Sequence, residues 1–197
     1  NIVKVTNQFS ENASLRYYNT DKHPRTYFSP IEIRTFYEDK SGNIWVGSFG
    51  KGIYVIDPRT EKIKRIVHDR NNPKSIASDF IHYIFESADG TIWIGTGAGG
   101  LNSFNPLDDS FTHYRHDPNN KKSISSDEVT SVCEDDQGFI WAGTSVGGLN
   151  RFNRNTGEFE HFIHGVSDNN SISGNRIICL FVDKKSNLWI GTFGGGL

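Results

Sequence analysis

The feature of this sequence that most constrains its fold is the even spacing of its tryptophans. They recur every 48 residues, and there are four of them: Trp45, Trp93, Trp141 and Trp189. A glycine follows each tryptophan two places later, and another follows seven places later. A constant period of this length indicates a repeat protein, whose units bury their apolar faces against neighbouring units. We therefore expect units of 48 residues.

Each unit contains four short apolar stretches separated by turn residues. In the first complete unit they are Ile33–Tyr37, Ile44–Gly47, Ile53–Ile56 and a stretch carrying Ile63 and Ile66, predicted as strands a, b, c and d. A tight turn is expected between strands a and b, because Asp39 and Gly42 are turn-forming residues. No helical periodicity of useful length is present. Each unit is therefore predicted to be a four-stranded antiparallel sheet.

Strand b predicts how these sheets pack. Successive side chains of a strand alternate between its faces, so Trp45 and Gly47 share one face and Ile44 and Val46 share the other. Both faces are therefore apolar, and the strand must be covered on both sides. The glycine allows a neighbouring sheet to come close. Sheets stacked on both faces are typical of a β-propeller, so the predicted fold class is an all-β propeller of four-stranded antiparallel blades.

The repeat also predicts blade boundaries and the nature of the two chain ends. We expect residues 1–28 to be the end of a preceding blade (strands c and d), 29–76, 77–124 and 125–172 to be complete blades, and 173–197 to be the first half of a fourth (strands a and b). Three arrangements stay open. The chain is a piece of a larger ring, or its terminal halves close four blades, or two copies share strands in an eight-bladed ring as a homodimer.

Composition and motifs argue against several classes of function. The net charge of −2 gives no basic surface for nucleic acid, and no apolar run approaches the ~20 residues that cross a bilayer. The double glycines lack the Lys-Ser/Thr pair of a phosphate loop. His68-Asp69 and His116-Asp117 are interpreted as turn caps rather than catalytic or metal-binding groups. We expect no metal and no cofactor.

The two cysteines give little functional information. Cys133 and Cys179 both fall in predicted strand a, so we expect both to be buried packing residues rather than a disulfide, which would need Cα atoms within about 7 Å.

The motif residues resemble a known family. The unit Glu134–Phe152, with its Gly138, Trp141 and double glycine, is similar to the two-component regulator propeller repeat, as is the connector His116-Asp117-Pro118 followed by Ser123-Ile124. The resemblance implies the periplasmic sensor region of a hybrid two-component histidine kinase in glycan-degrading bacteria. It also implies neighbouring propeller domains, commonly seven-bladed, an immunoglobulin-like domain, and membrane-spanning and kinase parts elsewhere in the parent protein.

Candidate binding residues are sought where the repeats differ, because the shared residues form the scaffold. The d-to-a connectors and b-to-c loops emerge on one face of a propeller, and strand a lies nearest the central channel. Variable positions there include the set Phe49, Ala98, Val146 and Phe193. The ligand-binding candidates are Arg34, Phe49, Lys51, His82, Glu128, Arg176 and Phe193. Aromatic, basic and acidic groups together favour an oligosaccharide or acidic glycan as ligand.

Two other functions stay open beside ligand sensing. Ser87–Trp93 is reminiscent of the Asp-box turn of sialidase-like glycosidases, which would make the chain a glycosidase or lyase. Glycoside cleavage requires two facing carboxylates, for which Glu32 and Glu128 are the candidates. The other alternative is a structural platform for protein contacts. We expect no enzyme activity and no catalytic residue in this chain.

Overall fold

The structure is all-β and divides into two compact units. The computed structural model describes residues 3–6, 14–17 and 32–196, and these contain strands and turns but no helix. The first unit covers residues 1–32 and the second covers 33–197. In the first, β1 (Val3–Thr6) pairs antiparallel with β2 (Ser14–Tyr17). The predicted blade boundaries and the closure of the two chain ends stay predictions.

The second unit consists of three four-stranded antiparallel sheets and one two-stranded sheet, with the strands of each sheet in chain order. The first sheet contains β3 (Ile33–Glu38), β4 (Ile44–Ser48), β5 (Ile53–Asp57) and β6 (Lys62–Ile66). The second contains β7 (Ile81–Glu86), β8 (Ile92–Thr96), β9 (Leu101–Asn105) and β10 (Ser110–Tyr114). The third contains β11 (Val129–Glu134), β12 (Ile140–Thr144), β13 (Leu149–Asn153) and β14 (Glu158–Phe162), and the fourth contains β15 (Ile177–Val182) and β16 (Leu188–Thr192). The prediction of four-stranded antiparallel blades is confirmed.

The hydrophobic core lies between successive sheets. One cluster joins Trp45 of the first sheet to Ile81, Ile84 and Phe104 of the second. Equivalent clusters lie between the second and third sheets and between the third and fourth. The whole of β8 is buried, as expected for a strand covered on both faces. Fully burying a side chain such as Ile81 contributes about 1.5–3 kcal/mol, so stacking provides most of the stability.

The glycine of strand b sets the distance between sheets. A Cβ atom on Gly47 would lie 2.6 Å from Cγ2 of Ile81 in the second sheet. A Cβ on Gly95 would lie 2.9 Å from Cγ1 of Val129 in the third. Because real Cβ atoms do not approach this closely, the sheets could not keep their spacing with a larger residue here. The predicted role of this glycine is confirmed.

The turn between the first two strands of each sheet also holds the tryptophan. Asp39 accepts hydrogen bonds from the backbone N–H of Ser41 (2.9 Å) and Asn43 (2.8 Å) and from the indole Nε1 of Trp45 (2.8 Å). The second sheet replaces this aspartate with Ser87, whose hydroxyl accepts the indole N–H of Trp93 and donates to Asp89 (2.7 Å). The turn therefore fixes the orientation of the indole, a contact that sequence reasoning missed.

The fourth sheet differs from the others in burial. Trp45 is 4% exposed, but Trp189 is 48% exposed because its sheet has only two strands. Cys133 is buried between the third and fourth sheets, whereas Cys179 is exposed, and neither forms a disulfide. The expectation that both cysteines are buried was therefore wrong for Cys179. By alternation, Cys179 faces away from Leu180, which packs on the third sheet.

The connectors between sheets are held by their own polar side chains. The backbone N–H of His68 donates to Asp79 (2.7 Å), and its ring Nδ1 contacts the carbonyl of Ile76 (2.8 Å). The hydroxyl of Ser75 accepts the backbone N–H of Asp69 (2.9 Å). The same contacts recur from His116 and closely from His164. The interpretation of the His-Asp pairs as turn caps is confirmed.

The described residues give two further findings. None of them forms a helix with the length and apolarity needed to cross a bilayer. No group of three or more His, Cys, Asp or Glu side chains in this part of the chain is arranged to hold a metal ion.

Candidate functional site

A β-bulge at the start of the first strand of each sheet positions the candidate residues. Ile33 pairs with Ser48 and Thr35 pairs with Gly47, so Arg34 is an extra residue between two consecutive partners. The same register shift leaves His82, Thr130 and Ile178 as the extra residues of β7, β11 and β15. Bulges redirect a side chain out of the regular alternation and are common beside functional sites.

The bulged residues point toward the next sheet. Strands β3, β7, β11 and β15 lie side by side in that order. The hydroxyl of Thr130 donates within its own sheet to the carbonyl of Gly143 (3.1 Å) and across to the carbonyl of Ile177 in β15 (2.8 Å). The ring of His82 likewise hydrogen-bonds the backbone of Val129 in β11. The bulges therefore bring side chains from different sheets into contact.

Three of the candidate residues form one electrostatic group around His82. Burial lowers the pKa of His82 below its usual value of 6.5, the charge of Glu128 raises it, and the charge of Arg34 lowers it. The net shift is downward, so the imidazole is mainly neutral at pH 7. Because each charge acts on the same ring, Arg34, His82 and Glu128 lie close together although they come from three successive sheets.

Two exposed aromatic rings adjoin this group. The guanidinium carbon of Arg34 lies 4.8 Å from the ring centroid of Phe49. Phe49 meets Phe80 of the second sheet edge to face, with 4.8 Å between centroids, and the two are 41% and 42% exposed. Exposed rings held in place by a cation and a second ring present flat apolar surface to solvent.

Glu128 is fixed by the loop that follows β12. The hydroxyl of Ser145 donates to its Oε2 (2.6 Å), and the backbone N–H of Ser145 donates to its carbonyl (3.1 Å). Gly97 and Phe193 make the same backbone contact to Phe80 and Arg176. Gly97 and Ser145 therefore occupy the position of Phe193, and hence of Phe49, and the predicted equivalence of Ala98 and Val146 was wrong by one residue. The backbone contact sets the register there, and the apolar pattern of the loop does not show it.

The structure does not bring all the candidates together. Arg176 and Phe193 form a separate cation–π pair at the fourth sheet, with 4.5 Å between guanidinium carbon and ring centroid. The carbonyl of Lys51 accepts a hydrogen bond from Arg65 of β6, at the opposite edge of the first sheet from β3. We name the assembled group the bulge rim; its members are Arg34, Phe49, Phe80, His82, Glu128 and Ser145.

Sequence reasoning had not chosen Phe80 and Ser145 as candidates. Phe80 falls at the same repeat position as Glu128 and Arg176, so the rule that selected those residues also applies to it. Ser145 carries no signal of its own, because only the register of the loop reveals its contact with Glu128.

The family comparison agrees with this geometry. A family model described as the two component regulator propeller matches four segments: residues 27–50, 75–98, 123–146 and 171–194. The chain belongs to the two-component regulator propeller family. Each matched segment runs from the connector through the bulged strand to the loop after strand b, so the bulge rim of this two-component regulator propeller lies largely within the family's repeats.

Solved structures share the fold. The chain is similar to the extracellular domain of a protein assigned as a hybrid two-component system from B. thetaiotaomicron, with a TM-score of 0.72, 22% identity, 84% of this chain covered and 22% of that chain. An extracellular domain assigned to a one-component system of the same organism gives a TM-score of 0.67, 23% identity, and coverage of 91% and 22%. This two-component regulator propeller thus spans 22% of the length of each.

Another similar structure is an enzyme. Virginiamycin B lyase from Staphylococcus aureus gives a TM-score of 0.60 and 15% identity, with 93% of this chain covered and 53% of the lyase. At such identities, the likeness shows a common fold. A comparison with the curated proteins returned no match.

Proposed function

We propose that this chain is a ligand-sensing propeller from the periplasmic sensor region of a two-component histidine kinase, and that it binds an acidic oligosaccharide at the bulge rim. The observation that carries the proposal is the convergence of Arg34, His82 and Glu128 from three successive sheets. Membership of the two-component regulator propeller family and the fold shared with extracellular domains support the cellular setting.

The chemistry of the rim suits a sugar that carries a carboxylate. Arg34 provides a planar fork of donors for a carboxylate, and neutral His82 provides one donor and one acceptor for hydroxyl groups. Glu128 accepts from sugar hydroxyls while Ser145 holds it in place. Phe49 and Phe80 offer ring faces for stacking on the apolar face of a pyranose.

Such a ligand would signal by bridging sheets. Because each contact residue belongs to a different sheet, an oligosaccharide spanning the rim favours one relative position of those sheets over others. In the parent protein this rigid-body change passes to neighbouring propeller and immunoglobulin-like domains and across the membrane to a kinase. The chain itself binds without transforming its ligand.

The geometry favours binding over a glycosidase or lyase reaction. The Asp-box-like turn is occupied structurally, because Asp89 accepts from Ser87 and pairs with Arg154. The carboxylate of Glu128 accepts from Ser145. Neither acid has the arrangement of a proton donor facing a nucleophile.

Calorimetric titration tests the proposal, after light scattering has established the solution mass. A dimer would favour strand sharing between copies, and a monomer would allow the titration to be interpreted on a single chain. We expect uronic-acid oligosaccharides to bind and neutral ones of equal length to bind more weakly. Arg34→Gln should weaken uronate binding about 10-fold or more, since hydrogen bonds to charged groups are worth about 1.5–3 kcal/mol.

A matched control is Lys121→Gln, which removes a positive charge from an exposed connector residue. This variant should bind as the parent chain does. Equal loss of affinity in both variants would show a nonspecific charge effect. Failure of every uronate to bind, at concentrations where the chain is folded, would contradict the proposal.

A further inference from the structure

A cleft of about 250 Å³ lies between the first and second sheets, at the opposite end of the strands from the bulge rim. It is bounded by the turns that follow β3, β7 and β9. Six lining residues matter for its chemistry: Asp39, Trp45, Lys64, Glu86, Phe104 and Asp109. Three are carboxylates and two are aromatic rings.

The same place between the second and third sheets is filled by an arginine. The Nη2 of Arg154 donates to Oε1 of Glu134 (2.7 Å), and its Nη1 pairs with Asp89. Its guanidinium carbon lies 5.5 Å from the ring of Trp93. The repeat thus provides, within one chain, a worked example of what this position between sheets holds: a guanidinium between two carboxylates and beside the tryptophan.

In the first interface, proline replaces that arginine. Pro106 is 48 residues before Arg154. The turn around it is unchanged: Leu107 N–H donates to Asn105 Oδ1 (3.0 Å), as Asn155 N–H donates to Asn153 Oδ1 (2.9 Å). The side chain that would fill the cleft is therefore missing although the backbone that would carry it is retained.

The acceptors for a guanidinium are also retained. Glu86 is equivalent to Glu134, and its Oε2 accepts the backbone N–H of Lys40 (2.7 Å) just as Oε2 of Glu134 accepts that of Ala88 (2.5 Å). The other oxygen of Glu134 binds Arg154. Among the described residues, the corresponding Oε1 of Glu86 has no hydrogen-bond partner. Glu86 is thus held in the same pose with its second oxygen available.

The nearby cations are engaged elsewhere. Lys64 pairs with Asp109 across the cleft (2.5 Å). The ammonium of Lys40 donates to the carbonyls of Ser87 (3.0 Å) and Ala88 (2.6 Å). With Lys64 neutralising one of the three carboxylates, the cleft keeps the negative charge of Asp39 and Glu86.

We propose that this cleft binds the guanidinium group of a ligand, which takes the place that Arg154 fills between the next two sheets. A planar guanidinium suits it better than an ammonium, because its fork of donors can reach two carboxylates at once while its face lies against an aromatic ring. The third interface supports this preference, since Arg151 lies 5.6 Å from the ring of Trp141. The proposal does not depend on the oligosaccharide site.

The test is a titration of the whole chain, followed by NMR or calorimetry, with probes that differ only in charge. N-acetyl-arginine amide represents arginine in a peptide, agmatine represents a small free guanidine, and N-acetyl-citrulline amide is the neutral isostere of the first. We expect the arginine probe to bind at least about 10-fold more tightly than the citrulline probe. Equal binding of these two would overturn the proposal.

Variants place the binding in the cleft. Glu86→Gln keeps the acceptor for Lys40 and removes the charge, and it should weaken binding about 10-fold. Pro106→Arg should fill the cleft from within, abolish binding and raise the melting temperature. Asp136→Asn, an exposed turn residue of the third sheet, is the matched control and should bind as the parent chain does.

Two outcomes identify the source of the ligand, and one sinks the idea. Tighter binding of the peptide-like probe than of agmatine points to an arginine of a protein, and the reverse points to a small guanidine. Unchanged binding in folded Pro106→Arg, checked by its thermal transition, would show that the probe binds elsewhere. That second variant keeps the test decisive even if Glu86→Gln is poorly folded.

Discussion

The indole N–H of Trp141 donates a 2.7 Å hydrogen bond to Asp135, six residues earlier in the chain. The same aspartate accepts the backbone N–H groups of Gln137 (3.0 Å) and Phe139 (2.9 Å). One carboxylate therefore closes the turn and orients the tryptophan that packs between sheets. Turn and core are joined at this residue, so damage to the turn should be felt in the core.

Asp135→Ala should lower the free energy of unfolding by about 1–3 kcal/mol, because three donors lose their acceptor. Urea denaturation followed by tryptophan fluorescence measures the change. The neighbouring Asp136→Ala is the control, since this side chain is exposed and should change stability by less than about 0.5 kcal/mol. Similar losses in the two variants would contradict the role given to Asp135.

Gly47→Ala should destabilise the chain by about 1–3 kcal/mol through overpacking. Its new Cβ would lie 2.5 Å from Cγ2 of Thr35 and 2.6 Å from Cγ2 of Ile81, so the sheets must separate or shift. Gly174→Ala is the matched control, because the added Cβ would meet its nearest atoms at an ordinary 3.6 Å. Equal thermal transitions for the two variants would show that Gly47 does not set the spacing.

The two cysteines should differ in reactivity. Burial, with a smaller effect of the Asp135 charge, raises the pKa of Cys133 to about 12 from 9.0, and Cys179 is exposed. An Ellman titration at pH 8 should therefore modify one thiol per folded chain and two in denaturant. Cys179→Ser should remove the fast reaction. A second fast thiol in the folded protein would mean that Cys133 is accessible.

His82 should report the charges of the bulge rim. Arg34→Gln should raise the pKa of His82 because it removes a like charge, and Glu128→Gln should lower it because it removes an opposite charge. NMR titration of the imidazole protons gives both shifts, with the His82→Gln spectrum identifying the signal. If neither substitution moves the pKa, the three side chains are not close neighbours.

The same pKa shift predicts the pH dependence of stability. In the folded chain the pKa of His82 lies below 6.5, so below that pH the unfolded state takes up a proton more readily than the folded state. This residue's contribution should therefore decline as the pH falls from 6.5 through the folded pKa. The dependence should be smaller in His82→Gln, and a rise in stability over this range would contradict the assignment.

Most of the fold could be predicted because it depends on local patterns. Trp45 and Gly47 alternate with aliphatic residues, and the spacing repeats, so strand, turn and stacking follow from short stretches of sequence. The bulge at Arg34 could not be found in this way, since an extra residue at the start of a strand leaves the later apolar pattern unchanged. The indole contact of Trp45 was also missed, because an aspartate in a turn is explained by the turn alone.

The candidate site was predicted in part. Arg34, His82 and Glu128 were identified because the repeats differ there, and the structure shows that they meet. Arg154 was not identified. Its contact to Asp89 joins residues 65 positions apart, and only the packing of two sheets shows that Pro106 leaves the matching place open.

The closely approaching glycines have a consequence for how such a protein changes over time. The sheets are held at their spacing by positions that lack a side chain, Gly47 and Gly95 among them, whereas chemical identity resides at the bulged residues and in the loops. Substitutions at the second set leave the first untouched. Duplicated units can therefore diverge in what they recognise while remaining interchangeable as building blocks, which gives this architecture a cheap route to new specificity.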